Sequence, residues 1–486
     1  MKDNDSTPGL ALGLAVVLGI LADRLLPEGP AGPGFALWIL LLGAAAVFLA
    51  RRAGSPGVGA VAGWSALATA AAAATILRDT EILILMMWLV LISAASMVLL
   101  RAGGVRLWET RPADHVLGLV LVPGRAAAGL VPLLTAIQPP QGSSRRRLVA
   151  VGRGILLSAP LLLLFGALFA SADAGFDRFA TTMIRMWSED FLTHLLIVLV
   201  FSWIAAGLLS GVRARRLPSP LSRLTPPRLG SEETAVVLGL LALLFLTFVG
   251  FQLGYLFGGR EAIEAASGLT LAEYARRGFF ELMVVGVVTI AVLLVANALT
   301  TARRLFRWLA AVLVACALVI LVSAVQRLML YTDAFGLTVD RIAAATVMAW
   351  VAAVLVLFSG TVLRERPGRF SSGALIAGIV AAFSLVLLDP GEIAARSILD
   401  RAAAGERAAD VAYLARLGAD AVPTILARMD ELPPTARCEL RATLQSRWGD
   451  QSDLARRNRD WRTWKLAGAA ARRALRASAT AVPASC

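Results

Sequence analysis

Between Asp79 and Arg101 the chain reads TEILILMMWLVLISAASMVLL (Thr80–Leu100), a run whose only charge is Glu81. A helix needs roughly 20 apolar residues to cross about 30 Å of hydrocarbon, and this run supplies them. Lipid offers no partner to the backbone N–H and C=O groups of an open strand, so the segment must be helical. Runs of similar length lie on either side of it. With residues 81–100 they make about eleven spans: 9–26, 33–50, 57–77, 81–100, 149–170, 191–211, 235–257, 279–299, 306–326, 341–362 and 371–388. Polar punctuation separates them at Pro27 to Pro33, Arg51-Arg52, Arg78-Asp79, Pro218 to Pro227, Arg303-Arg304 and Arg364 to Arg369.

The composition fits a bilayer. Hydrophobic residues fill 58% of the 486 positions and charged residues 16%, whereas a soluble domain carries about 25% charged residues. Nearly every charge before Asp389 sits in a short gap between apolar runs, and after Leu388 the charges are spread evenly. The expected fold is an all-α polytopic transmembrane helical bundle with a small helical soluble tail. It divides into N-terminal spans (1–100), an Arg-rich loop (101–148), further spans (149–388) and the tail (389–486). His115 to Ile137 is apolar but is cut by Pro123, Gly124, Arg125 and Pro132. Arg at mid-membrane costs about 2.5–3.5 kcal/mol on insertion scales, so this stretch reads as interfacial or re-entrant.

Arg and Lys concentrate in alternate gaps, beginning with the N-terminus, in a ratio of 22 to 9. By the positive-inside rule that set of gaps is cytoplasmic, and eleven crossings place the tail outside. The expected location is therefore the cell (inner) membrane, with a cytoplasmic N-terminus and an extracytoplasmic tail. The first residues lack a convincing cleavage site, so the first apolar run reads as a span and not as a signal. In the tail, apolar residues recur at helical spacing in Ile393 to Leu399, Val411 to Leu417 and Val422 to Met429. Trp461 to Leu475 is basic and amphipathic, suited either to lying on anionic lipid or to packing as a terminal helix with a solvated Arg face.

Several function classes lack their signatures. The net charge of +14 falls mostly at helix ends, with no basic stripe and interleaved aromatics, so no nucleic-acid partner is expected. P-loop, HExxH, GxSxG, SxxK and kinase motifs are absent, and His115 and His194 are too far apart for a local zinc motif. No cofactor, no metal and no catalytic residue is assigned. Cys316, Cys438 and Cys486 show no disulfide framework. Gly57, Gly59 and Gly63 read as small residues that let helices approach closely. Span interiors hold few ionisable groups, which disfavours an ion-coupled carrier.

Three gaps on the expected outer face carry denser polar chemistry. The first holds Ser171, Asp173 and Asp177, the second Tyr274, Arg276 and Arg277, and the third Arg327, Tyr331, Asp333, Thr338 and Arg341. Arg327 and Tyr331 share one face if the ninth span continues that far. Interfacial acids and bases also pair and cap helix ends for purely structural reasons. The three gaps nonetheless fall on one face, which makes them a candidate polar site. There Asp173, Asp177 or Asp333 is expected to pair with Arg276, Arg277, Arg327 or Arg341, because an unpartnered half-buried charge is costly.

The runs Ala170 to Asp173, Ala272 to Phe279 and Arg327 to Thr338, with Asp410 to Ala415 and Asp420 to Pro423 in the tail, resemble the bacterial membrane family called domain of unknown function 4173. The resemblance runs from about residue 145 to the end and implies a cell-membrane protein without a settled activity. Three readings follow. In the first, the protein is a sensing, scaffold or envelope-assembly protein whose partners are the lipid bilayer and another membrane or envelope protein. The second is a transporter or facilitator of a small or lipid-like solute. The third is a membrane-surface enzyme acting on lipid or envelope polymer, with Asp173 or Asp333 as general base.

Overall fold

A computed structural model describes residues 7–26, 32–104, 112–129, 131, 133, 189–213, 229–257, 279–405, 409–457 and 459–479. The described chain is helical, and its one β feature is an isolated bridge between Leu229 and Thr300. Helices α1 (Thr7–Leu25), α2 (Gly32–Arg52), α3 (Val58–Leu77) and α4 (Glu81–Ala102) come first. Next are α5 (Pro112–Ala128), α6 (Glu189–Arg213), α7 (Ser231–Phe257) and α8 (Phe279–Leu299). Helices α9 (Arg303–Phe335), α10 (Val339–Thr361) and α11 (Pro367–Leu388) complete the membrane part. All of these except α5 are long and apolar enough to cross a bilayer, ten in number among the described residues. The span read at 149–170 lies outside the described residues. The protein is an all-α, multi-pass membrane protein.

The bundle has two halves. In the first, α1, α2, α3, α4 and α6 share cores around Leu18, Trp38, Leu49, Val61, Leu99 and Leu209. In the second, α7 to α11 pack around Phe306, Leu313, Ile320, Val351 and Phe358. Leu83, Met87 and Val90 of α4 meet Ala382, Leu385 and Val386 of α11 and join the halves. The outward faces are also apolar, with Leu240, Leu243, Leu244 and Phe251 of α7 more than half exposed, as expected of helices solvated by lipid.

Close helix approach depends on small residues. A side chain at Gly57 would collide with the Arg101 carbonyl, and one at Gly207 with that of Arg125. Gly59 and Gly63 face open space, so of the three glycines read as packing residues only Gly57 acts as one. The other two lie on a side of α3 that no neighbour approaches. Helix α5 is 17 residues long and is wedged between α4 and α6: Gly118 abuts Ser96, and Trp203 Nε1 donates to the Ala127 carbonyl at 3.1 Å.

The tail comprises α12 (Pro390–Ala403), α13 (Val411–Arg416), α14 (Val422–Ala427), α15 (Pro434–Trp448), α16 (Asp453–Arg457) and α17 (Leu466–Ala479). Its own core gathers Leu399, Leu414, Val422, Ile425, Leu440, Leu444 and Trp448. Ala467, Ala471 and Leu475 of α17 are buried in that core, so of the two readings of this basic helix the packed one describes it. Cys438 is disulfide-bonded, whereas Cys316 is free and buried in α9. The expectation of no disulfide framework therefore misses one bond, because sequence spacing carries no information on which side chains a fold brings together. Peptide mapping of unfolded, unreduced protein should find Cys316 alkylated and Cys438 protected, with Cys438 alkylated only after reduction. Equal alkylation of both thiols without reductant would show that the bond does not form.

Candidate functional site

The short turn Arg78-Asp79-Thr80, between α3 and α4, is where the tail locks on. Arg78 donates through Nε to the Val386 carbonyl at 3.0 Å and through Nη1 to Asp389 Oδ2. The same Nη1 lies 3.6 Å from Asp420 Oδ1. Asp389 is the one residue between α11 and α12. It adopts left-handed backbone angles (φ 53°), and its other oxygen accepts the Glu392 N–H at 3.0 Å, capping α12. Asp is among the few residues beside glycine that take this conformation readily, and a carboxylate at a helix N-terminus is favoured by the unpaired N–H groups there.

Asp420 stands in a 3-10 turn, Ala419–Ala421, just before α14. Its side chain is wholly buried. Oδ2 accepts the Asp79 N–H at 3.0 Å and the Thr80 hydroxyl at 3.2 Å, while Oδ1 has no hydrogen-bond partner. Burial pushes its pKa up to about 6, helped by the neighbouring carboxylate of Asp389 and opposed by the Asp79 N–H and Arg78. Burial raises the pKa of Asp389 as well, against the pull of the Glu392 N–H and Arg78. Lys465, one of only two lysines in the chain, pairs with the Asp79 carboxylate. The cluster thus sets two cations against three carboxylates, and a proton on Asp420 would make it neutral.

Two further contacts seat the tail on the same face. Arg401 of α12 donates to the carbonyls of Thr332 (3.1 Å) and Asp333 at the turn between α9 and α10, and the Tyr413 hydroxyl accepts the Val339 N–H at 3.0 Å. At the other edge, the Arg462 carbonyl accepts the Gly34 N–H at 3.0 Å and its guanidinium reaches the Arg24 carbonyl at 2.9 Å. This approach requires Gly32, at φ 73°, where an added Cβ would sit 2.6 Å from the Arg462 carbonyl oxygen.

The residues singled out from sequence are distributed as follows. Ser171, Asp173, Asp177, Tyr274, Arg276 and Arg277 lie outside the described residues. Helix α9 continues to Phe335, so Arg327 and Tyr331 do share a helix. Arg327 nevertheless points to Gln252 (Nη2 to Oε1, 3.5 Å), which also accepts the Ser323 hydroxyl at 2.5 Å. Arg341 lies 4.0 Å over the Tyr331 ring and donates to the Gly336 carbonyl. Thr338 precedes α10 without capping it through its side chain. The Asp333 carboxylate is exposed and pairs with no Arg among the described residues. Within the third motif Asp333 therefore pairs with neither Arg: Arg341 takes the Gly336 carbonyl and the Tyr331 ring on its own turn, and Arg327 turns to Gln252 of α7. Sequence alone does not single out the tail-locking residues Arg78, Asp389, Asp420 and Lys465. Asp420 enters there only as part of a motif and Arg78 only as punctuation between spans, and nothing local marks the other two. Among the described residues, no group of three or more His, Cys, Asp and Glu is placed to hold a metal ion.

The raised pKa of Asp420 has a definite sign. Its contribution to tail docking is fully present below about pH 3.8 and is lost as pH rises through about 6. At about 1.36 kcal/mol per pKa unit the effect is on the order of 3 kcal/mol. Thermal unfolding of wild type should rise relative to Asp420→Asn as pH is lowered from 7.5 to 5, and parallel curves would refute the assignment. Arg78→Ala should destabilise docking by about 3–5 kcal/mol, the usual range for removing one partner of a buried pair, measured as protease cleavage of the tail.

Neither the curated proteins nor the solved structures contain a match to the chain. The family described as "Domain of unknown function (DUF4153)" matches residues 36–427, most of the chain. That stretch begins in α2, includes Arg78, Asp389, Arg401, Tyr413 and Asp420, and ends with α14. The resemblance to domain of unknown function 4173 is thereby corrected: it rests on short motifs from residue 145 onward, whereas the match takes in the N-terminal helices as well. The chain belongs to the DUF4153 family.

Proposed function

We propose that this is a scaffold or envelope-assembly protein of the cell membrane, which holds a helical tail rigidly on the outer face as a binding surface for another membrane or envelope protein. The observation that carries this reading is the tail's attachment. A buried cluster around Arg78, carbonyl clamps from Arg401 and Arg462, and the Tyr413 hydrogen bond fix it to three separate helix connections. A flexible appendage needs no such fixing. Two cavities among the described helices are apolar, one between α2, α3, α4, α5 and α6 and another between α4, α10 and α11. That sets this reading above passage of a small polar solute.

The Arg and Lys asymmetry supports an extracytoplasmic tail and a cytoplasmic N-terminus. So does the disulfide at Cys438, since such bonds persist in oxidising compartments. A membrane-impermeant maleimide applied to intact cells should label Gln451→Cys in the tail and leave Arg52→Cys, at the other end of α2, unlabelled. The opposite pattern would put the tail in the cytoplasm. Photo-crosslinkers at Asp333 and Glu439, both exposed on the tail side, should each yield a discrete adduct with an envelope protein that is lost in Arg78→Ala. A docked tail that gives no adduct from either position would rule out the scaffold reading.

A further inference from the structure

The apolar recess of the first half lies between α2, α3, α4, α5 and α6. Its volume is about 350 Å³. Toward the tail side its walls are Trp38, Trp88 and Phe201, and toward the far side Leu99, Val122 and Ala126. Among the described lining residues the one hydroxyl is that of Ser65, and it has no hydrogen-bond partner. A water molecule needs two to four polar partners, and engineered apolar cavities of about 150 Å³ stay dry and take up hydrocarbon instead. The recess is larger than that and lies among spanning helices, where the surrounding solvent is acyl chain.

Arg125 stands at its far end. Val122 and Ala126 of the same helix line the recess. The Arg125 stem lies beside Gly211 and Leu99, with Cγ and Cδ each 3.7 Å from where a Gly211 side chain would begin. No acid or hydrogen-bond acceptor among the described residues meets its guanidinium, although a cation at membrane depth is normally neutralised. Helices α4 and α6 both end on this side, at Ala102 and Arg213, which is the side that the Arg and Lys count makes cytoplasmic. A guanidinium recognises phosphate through paired N–H donors.

We propose that this recess binds an anionic phospholipid, with an acyl chain among α2, α3, α4, α5 and α6 and the phosphate on Arg125. The site is independent of the tail-docking surface and lies on the opposite side of the membrane.

Full-length protein exchanged into nanodiscs of equimolar phosphatidylglycerol and phosphatidylcholine, released into detergent and analysed by native mass spectrometry tests this directly. Wild type should retain phosphatidylglycerol at least tenfold over phosphatidylcholine. Arg125→Gln should lower that preference to threefold or less, Arg125→Lys should restore most of it, and Ala95→Phe, which fills the recess, should cut retention of both lipids severalfold. Wild type without a preference would overturn the proposal even if a variant failed to fold. So would an Arg125→Gln protein with undiminished selectivity, an Ala95→Phe protein with undiminished retention, or retention of free fatty acid alone.

Discussion

Hydrocarbon excludes unpaired charge and unpaired backbone alike, and the molecule is arranged around that exclusion. Each span closes its own hydrogen bonds as a helix, and nearly all ionisable groups are pushed to helix ends. There they crowd into a few thin layers, and the layer on the tail side is where the protein becomes specific. Arg78 is the sole cation of the turn between α3 and α4. With those two helices packed directly against each other it has little freedom, so acids from two other parts of the chain can be organised around it. A single guanidinium cannot satisfy two buried carboxylates fully, and the raised pKa values of Asp389 and Asp420 record that shortfall.

The spans are legible because their signal is local. The run from Thr80 to Leu100 declares its own helix, and α4 occupies Glu81–Ala102. Helix α9 extends past its expected end at Gln326 because the turn that stops it comes only at Gly336, where φ is 84°. The tail's helices are likewise visible as apolar periodicity. What joins tail to bundle is not. Arg78 meets Asp389 across 311 residues and the Asp79 N–H meets Asp420 across 341. Read locally, those residues are a helix boundary, a helix cap and a turn. The third polar motif stands out in the sequence as unusual, yet its chemistry differs from the expected ion pairing. The tail takes hold of its backbone carbonyls at Thr332 and Asp333 and leaves the Asp333 side chain to solvent.

The two faces of the bundle differ in kind. On the tail side, Arg78 and Asp79 meet partners drawn from distant parts of the chain, beneath a second layer of helices. On the far side, the 17-residue α5 wedges between α4 and α6; it runs through Pro123 and Gly124 and ends before Gly129, where φ is 51°. Its packing relies on Gly207 and Gly211, which admit its backbone and the Arg125 stem. Small residues thus do for α5 what ion pairs do for the tail.

Helix α11 passes into α12 with only Asp389 between them, and that residue is held by its backbone conformation, by the N–H it caps and by Arg78. There is no swivel at this joint. A change of tilt in α11, as a bilayer thickens or thins, is carried into α12 as by a rigid crank. Over the 14 residues of α12, about 21 Å long at 1.5 Å per residue, a tilt of about 10° would sweep the far end through roughly 4 Å. Such a joint would turn a change of helix tilt into displacement at a distance, with the Arg78 cluster as its fastening.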